Sequence, residues 1–345
     1  MAHDYCVLLV YDSGKEAAMI TIYVQGKRVL IEAKEVSKDC WIDSRNVDAK
    51  DLDLLEREYG IASELLVDIM DMDEQARVEK EDEYTAFIVR IPVYDVEADP
   101  MFFTLPLGIV LFSDKIITIC QKSSEALDDI ARSKVRGLNL ANKSAFVLNL
   151  LGRSAFTFLR FLKDINRRST RIEHDLQKSI KNNELIQLLS LQKSLVYFTT
   201  SIKTNELLLE KLRKSPLIRF KEDEKDLLED VVTENKQAIE MANIYSATLS
   251  GTMDAFASVI SNNLSIVMKR LTIVSIVMMI PTLIYSFFGM NVPIPFSELP
   301  FAFVGITGGS LLISVLGAIF LNTKPSIESG KSQQKRTGVG LTRKR

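Results

Sequence analysis

Apolar residues follow three rhythms along this chain. Through the first hundred or so positions they gather in short β-branched runs broken by turn residues. Ala18–Tyr23 and Arg28–Ala33 flank Gln25-Gly26 and predict a hairpin. Thr85–Tyr94, Leu105–Phe112 and Lys115–Cys120 predict further strands, the last two joined at Ser113-Asp114. Leu52, Leu54 and Leu55 fall at helical spacing within Ala49–Tyr59, which stops at Gly60, and Ile61–Met70 continues as a second short helix. The expectation is a mixed sheet with a few helices. From about Ser144 apolar residues recur at threes and fours, predicting long helices over Ser144–Lys181 and Asn183–Leu212. No proline occurs from Leu217 to Ile280, so a still longer helix follows; at 1.5 Å per residue it would run about 100 Å and should protrude as a stalk. The third rhythm is continuous. Leu271–Phe288 and Leu299–Thr323 carry no charge at all apart from the loop between them, and a run of about 20 apolar residues spans a bilayer.

The expected fold class is therefore an α+β cytosolic domain with a long helical stalk and two C-terminal transmembrane helices. The expected division is 1–143 for the α/β domain, 144–216 for two antiparallel helices, 217–270 for the stalk, 271–291 and 301–321 for the spans, 292–300 for an external loop and 322–345 for a basic tail. Pro281 within the first span is tolerable in a membrane helix.

Whole-chain composition hides this organisation. The 345 residues carry 43 basic and 45 acidic side chains, a net charge of −2, and 47% apolar residues, the profile of an ordinary soluble protein. Residues 1–100 hold 24 acids against 11 bases, whereas 322–345 hold 7 bases against one acid. Between Arg270 and Lys324 the only charge is Glu298. Lys269 and Arg270 precede the first span, Lys324 follows the second, and the loop has neither Lys nor Arg. The positive-inside rule then places both termini in the cytoplasm, in a plasma (inner) membrane protein. The N-terminus lacks a basic region before its apolar run, so no signal peptide is expected.

Enzyme chemistry finds no footing. His3 and His174 are the only histidines, Cys6, Cys40 and Cys120 form no CxxC, and no P-loop, GxSxG or GxGxxG occurs. The expectation is no organic cofactor, no nucleic-acid partner, and cysteines that are reduced and packed.

One hairpin cannot enclose a pore, so transport requires several chains around an axis. Ser265, Met268, Thr272, Ser275, Met279, Thr282 and Ser286 are spaced by threes and fours and share one face of the first span, away from Ile273, Val277, Ile280 and Ile284. Small hydroxyls and methionines on one seam suit a narrow pore, and they equally suit close helix packing in lipid. Gly305 and Gly309 in the second span form a GxxxG pair suited to packing.

The first span ends Tyr-Ser-Phe-Phe-Gly-Met-Asn. Gly289-Met290-Asn291 at the outer end of the penultimate of two C-terminal spans, after a long helix and an acidic α/β domain, resembles the CorA-type magnesium channel family; Trp41-Ile42 and Gly60–Glu79 belong to the same resemblance. The resemblance implies a funnel-shaped homopentamer whose first span lines the pore, with divalent cations and the lipid bilayer as partners. It implies that Asn291 forms the pore mouth and that Glu298 is the loop acid near it. Mg2+ dehydrates reluctantly, and neutral carboxamides can accept hydrogen bonds from its waters without stripping them. It implies narrowings at Met268, Leu271 and Met279, a polar position at Ser265 and a cytosolic entrance ring at Asp254. Asp68 and Asp230 match positions that hold a regulatory Mg2+ between neighbouring subunits. Val67 stands where a carboxylate is often found, and Leu151-Gly152-Arg153 lacks the acids of a second site. Mg2+ would thus be both substrate and regulatory ligand. Transport of Co2+, Ni2+ or Zn2+, or a non-conducting two-span ion-sensing receptor, remain the alternatives.

Overall fold

A computed structural model describes residues 19–27, 29–135, 137–178, 182–214, 220–290 and 301–323. They fall into two compact units, Met1–Asp254 and Ala255–Arg345.

Among the described residues the first unit is built on a seven-stranded sheet: β1 (Met19–Gln25), β2 (Leu30–Ala33), β3 (Cys40–Arg45), β4 (Arg77–Lys80), β5 (Tyr84–Tyr94), β6 (Phe102–Phe112) and β7 (Lys115–Cys120). Its order is β2-β1-β3-β7-β6-β5-β4, and every pair is antiparallel except β3 with β7. Both faces are covered, which is why β5 to β7 read as nearly continuous apolar runs. Phe87, Val89, Ile91, Leu107 and Ile109 point to one core, packing with α4 (Lys143–Lys178), α5 (Asn182–Lys214) and the start of α6 (Glu222–Phe288). Ala86, Ile88, Val110, Ile117 and Ile119 point the other way, onto α1 (Ala49–Tyr59) and α2 (Ser63–Met70). The helix α3 (Glu125–Ala131), with Ser124 as its N-cap, joins the first core.

Local sequence chemistry sets the ends of α1. The Asp48 side chain accepts from the backbone N–H of Lys50 and Asp51, while Asp51 accepts from the Asp48 N–H, and Gly60 closes the helix at φ +67°. Strand β3 departs from any simple pattern. Asp43, Ser44 and Arg45 are buried in it. Trp41 Nε1 donates to Thr118 Oγ1 (2.9 Å), which donates to Asp43 Oδ1 (2.9 Å); Arg45 grips Asp43 Oδ2 (2.7 Å) and reaches Asp128 of α3. Burial pushes the Asp43 carboxyl up, against the pull of Arg45. Cys40 and Cys120 are buried free thiols, and burial raises Cys120 to about 11, out of the reactive range.

In the second unit are the end of α6 and α7 (Ala302–Thr323). Among the described residues, three helices are long and apolar enough to cross a membrane: α4, α6 and α7. The apolar stretch of α4 is 61% buried, since Phe146, Leu150, Phe158 and Leu162 pack inside the first unit; no residue of the corresponding stretch of α6 is fully buried.

The strands β3 and β4 and the helix α3 add to the elements expected from apolar rhythm. All three are short, and their polar residues are buried in networks or carry charge, so no run of apolar residues announces them.

Gly108 sets how closely α2 approaches the sheet. A Cβ there would lie 2.3 Å from Ile69 Cδ1 and 2.9 Å from its Cγ1. Gly108→Ala should therefore destabilise the protein by about 1–3 kcal/mol through overpacking. Ile69→Val, which removes Cδ1, should recover part of that loss; thermal unfolding of the single and double variants would reveal the non-additivity, and strict additivity would contradict the contact.

Candidate ion pathway and regulatory residues

The stripe on α6 is exposed throughout: Ser265, Met268, Thr272, Ser275, Met279, Thr282 and Ser286 are all open, as is Leu271 beside it. Ile273, Val277, Ile280, Pro281 and Ile284 are the half-buried positions. A Cβ at Gly317 of α7 would stand 3.5 Å from Ile280 Cδ1, and Ser310 of α7 donates to the Tyr285 hydroxyl at 3.3 Å. The helix α7 thus meets α6 away from the hydroxyl–methionine seam.

Four of the five hydroxyls of that seam share one arrangement. Ser265 donates to the Ser261 carbonyl (3.0 Å), Thr272 to Met268 (2.9 Å), Ser275 to Leu271 (3.0 Å) and Thr282 to Met278 (3.0 Å). Each proton is spent inside the helix, so each oxygen presents only lone pairs outward. Acceptors are what a cation, or the water hydrogens around it, can use. At the end of α6 the Gly289 N–H bonds to the Tyr285 carbonyl (2.9 Å), and a Cβ on Gly289 would sit 3.2 Å from that oxygen, a tight contact; Met290 is exposed. Asn291 and Glu298 lie outside the described residues.

Asp254 is exposed on α6. Asp68 sits on α2 and Asp230 on α6, on separate elements of the first unit, and among the described residues no group of three or more acidic, His or Cys side chains is set to hold a metal ion. Asp68 Oδ2 instead accepts from Arg77 at 2.6 Å. Arg77 also holds Glu79 Oε1 at 2.7 Å and Glu74. Burial works against its charge, but the hydrogen bonds with Glu79 and Asp68 outweigh it and hold the guanidinium above its ordinary value. Asp230 is exposed; one turn on, burial raises the carboxyl of Glu234, Asp230 adds to the rise and Arg153 opposes it. Val67, beside Asp68, is 63% exposed.

The family model described as CorA-like Mg2+ transporter protein matches residues 37–324. This chain belongs to that family. Among curated CorA proteins it is similar to the cobalt/magnesium transport protein CorA of Methanocaldococcus jannaschii, 26% identical over 266 residues covering 76% of this chain and 81% of the relative. A protein of the same description from Thermotoga maritima is 20% identical over 263 residues, covering 75% and 74%. The complete structure of the M. jannaschii CorA magnesium transporter matches with a TM-score of 0.73 at 21% identity, covering 90% of this chain and 99% of that one; at that identity the likeness concerns the fold.

In this CorA-family chain the surroundings of Asp68 contain two arginines that the sequence reading passed over. Arg77 is one. The other is Arg90, the single charge inside the apolar strand Tyr84–Tyr94, a signal that was available. Arg90 is 7% exposed, and burial lowers its pKa. Its guanidinium donates to the carbonyls of Met72 (2.6 Å) and Glu74 (3.1 Å), just beyond α2, and to Thr104 Oγ1 (2.8 Å). The turn after Asp68 is thereby held from beneath. β4 pairs with β5 only as far as Ile88, and two residues on the Asn205 carboxamide takes the place of a strand, accepting from the Arg90 N–H (2.9 Å) and donating to its carbonyl (2.8 Å). Asn205→Leu would strand the buried Arg90 N–H, while the Arg90 carbonyl keeps the Ser154 hydroxyl (3.2 Å), and should cost about 1–3 kcal/mol, read as a lowered thermal midpoint. A midpoint equal to wild type would refute this role.

Proposed function

We propose that this chain forms a homopentameric channel in the membrane that takes up Mg2+ down the membrane potential. The observation that carries the reading is the hydroxyl–methionine seam of α6, left uncovered by α7 and offering outward acceptors. A seam meant for packing within the hairpin would face α7. Five copies of the seam around an axis would make rings of acceptors alternating with Met268, Leu271 and Met279. The first span is taken as 271–291 and the second as 301–321, with 1–270 and the basic tail on the cytoplasmic side and the loop 292–300 outside.

Asn291 at the outer end would accept hydrogen bonds from the hydration shell of the ion, with Glu298 attracting cations nearby and Asp254 forming a ring at the inner entrance. Crossing needs no nucleotide site: two charges moving through the field gain about 4.6 kcal/mol per 100 mV, twice the single-charge value. Mg2+ held between subunits by Asp68 and Asp230 would neutralise two carboxylates that otherwise repel, closing the channel when internal Mg2+ is high. Co2+ is the second cargo to test, because the curated relatives are named cobalt/magnesium transport proteins.

Liposomes holding the purified protein, with an inside-negative potential and an internal Mg2+ indicator, test this reading. Wild type should take up Mg2+, and Asn291→Ala should lower the rate about tenfold or more, since hydrogen bonds to charged partners contribute about 1.5–3 kcal/mol each. No uptake by the intact protein would overturn the proposal. Asp68→Ala and Asp230→Ala should each sustain uptake at internal Mg2+ that stops the wild type; unchanged inhibition in both would remove the brake from the account.

A further inference from the structure

Arg77 occupies the place a regulatory cation would want. Its three nitrogens are each committed to a different carboxylate: Nε to Glu79, one terminal nitrogen to Glu74 and the other to Asp68 Oδ2. The group is reachable by ions, with side-chain exposures of 27% for Arg77, 39% for Asp68 and 42% for Glu79. Three carboxylates and one guanidinium leave a net charge of −2, the charge one divalent cation cancels. Beneath them Arg90 holds the Met72 and Glu74 carbonyls, so the turn carrying the acids is anchored whether or not Arg77 stays engaged.

We propose that Arg77 is a built-in counter-ion competing with Mg2+ for Asp68, so that closing the channel is an exchange in which the metal displaces a guanidinium. The inference rests on Asp68 serving as a regulatory ligand, as argued above. A guanidinium bonded through three separate nitrogens is a specific partner, and Mg2+ is a demanding one that binds through one or two carboxylates while keeping waters. With Arg77 in place, Mg2+ must reach a higher concentration before it takes the carboxylate. The arginine thereby sets the internal Mg2+ level at which the brake engages. Lysine could not reproduce it fully, since an ammonium is a point charge on a flexible stem and lacks the planar fork.

Thermal unfolding of the full-length protein in detergent micelles, titrated with MgCl2 after chelation, reads this without any flux. Asp68→Asn should lose the Mg2+-dependent rise in Tm that wild type shows. Arg77→Gln should move the half-maximal Mg2+ concentration about tenfold lower, and Arg77→Lys should move it less. If Arg77→Gln unfolds, the lysine variant alone still carries the sign of the shift. A midpoint unchanged or moved to higher Mg2+ in the arginine variants, while Asp68→Asn still loses the response, would overturn the inference and leave the regulatory reading standing. A wild-type response in Asp68→Asn would overturn both.

Discussion

Two membrane-length helices cannot wall off a path for an ion, and that constraint shapes everything else in this chain. A lone hairpin would have every reason to bury its polar residues between its own helices, where lipid cannot reach them. Here α7 meets the Ile280 side of α6 and leaves Ser265, Thr272, Ser275 and Thr282 open, each with its proton turned back onto the helix. In the proposed assembly such a face is unfinished in one copy. Further copies would complete it, and a hydrated cation would satisfy it.

The α+β unit is organised around one turn. Gly108 lets Ile69 lie against the sheet, Arg90 takes the carbonyls that follow α2, and Arg77 gathers the acids above them. Asp68 is therefore held by packing below and by charge above. Under the proposed function a carboxylate placed that firmly would serve as a sensor, because displacing its partner is a discrete event rather than a gradual loosening. The family assignment and the likeness to the M. jannaschii CorA structure supply the fold in which such a sensor would act.

Much of this could be read from residues alone where periodicity speaks. The β5 to β7 runs, α1 with its Gly60 stop, the long helices and the two charge-free spans all have patterns set by local geometry. The Gly289-Met290-Asn291 signature led to the family. Strand β3 escaped because its buried Asp43, Ser44 and Arg45 depend on Thr118 and Asp128, residues far away in sequence. The partnership of Asp68 with Arg77 escaped for a similar reason: an arginine among acids looks like ordinary surface charge until the fold brings Asp68, from another element, to it alongside Glu74 and Glu79. Arg90 gave clearer notice, as a lone charge in an apolar strand, and its purpose emerges only when the carbonyls beyond α2 come within its reach. That α7 leaves the seam uncovered could not be read at all, since the same spacing of hydroxyls serves a pore or a packed interface.

Assembly is the claim on which the seam, the Asn291 ring and the shared regulatory ion all depend. Native mass measurement of the intact protein released from detergent micelles or lipid nanodiscs tests it directly. The account predicts a single species of five copies that persists in the Asn291→Ala variant. A protein that remains a monomer or dimer in lipid would contradict it, because no pathway could then close around the hydroxyl–methionine face of α6.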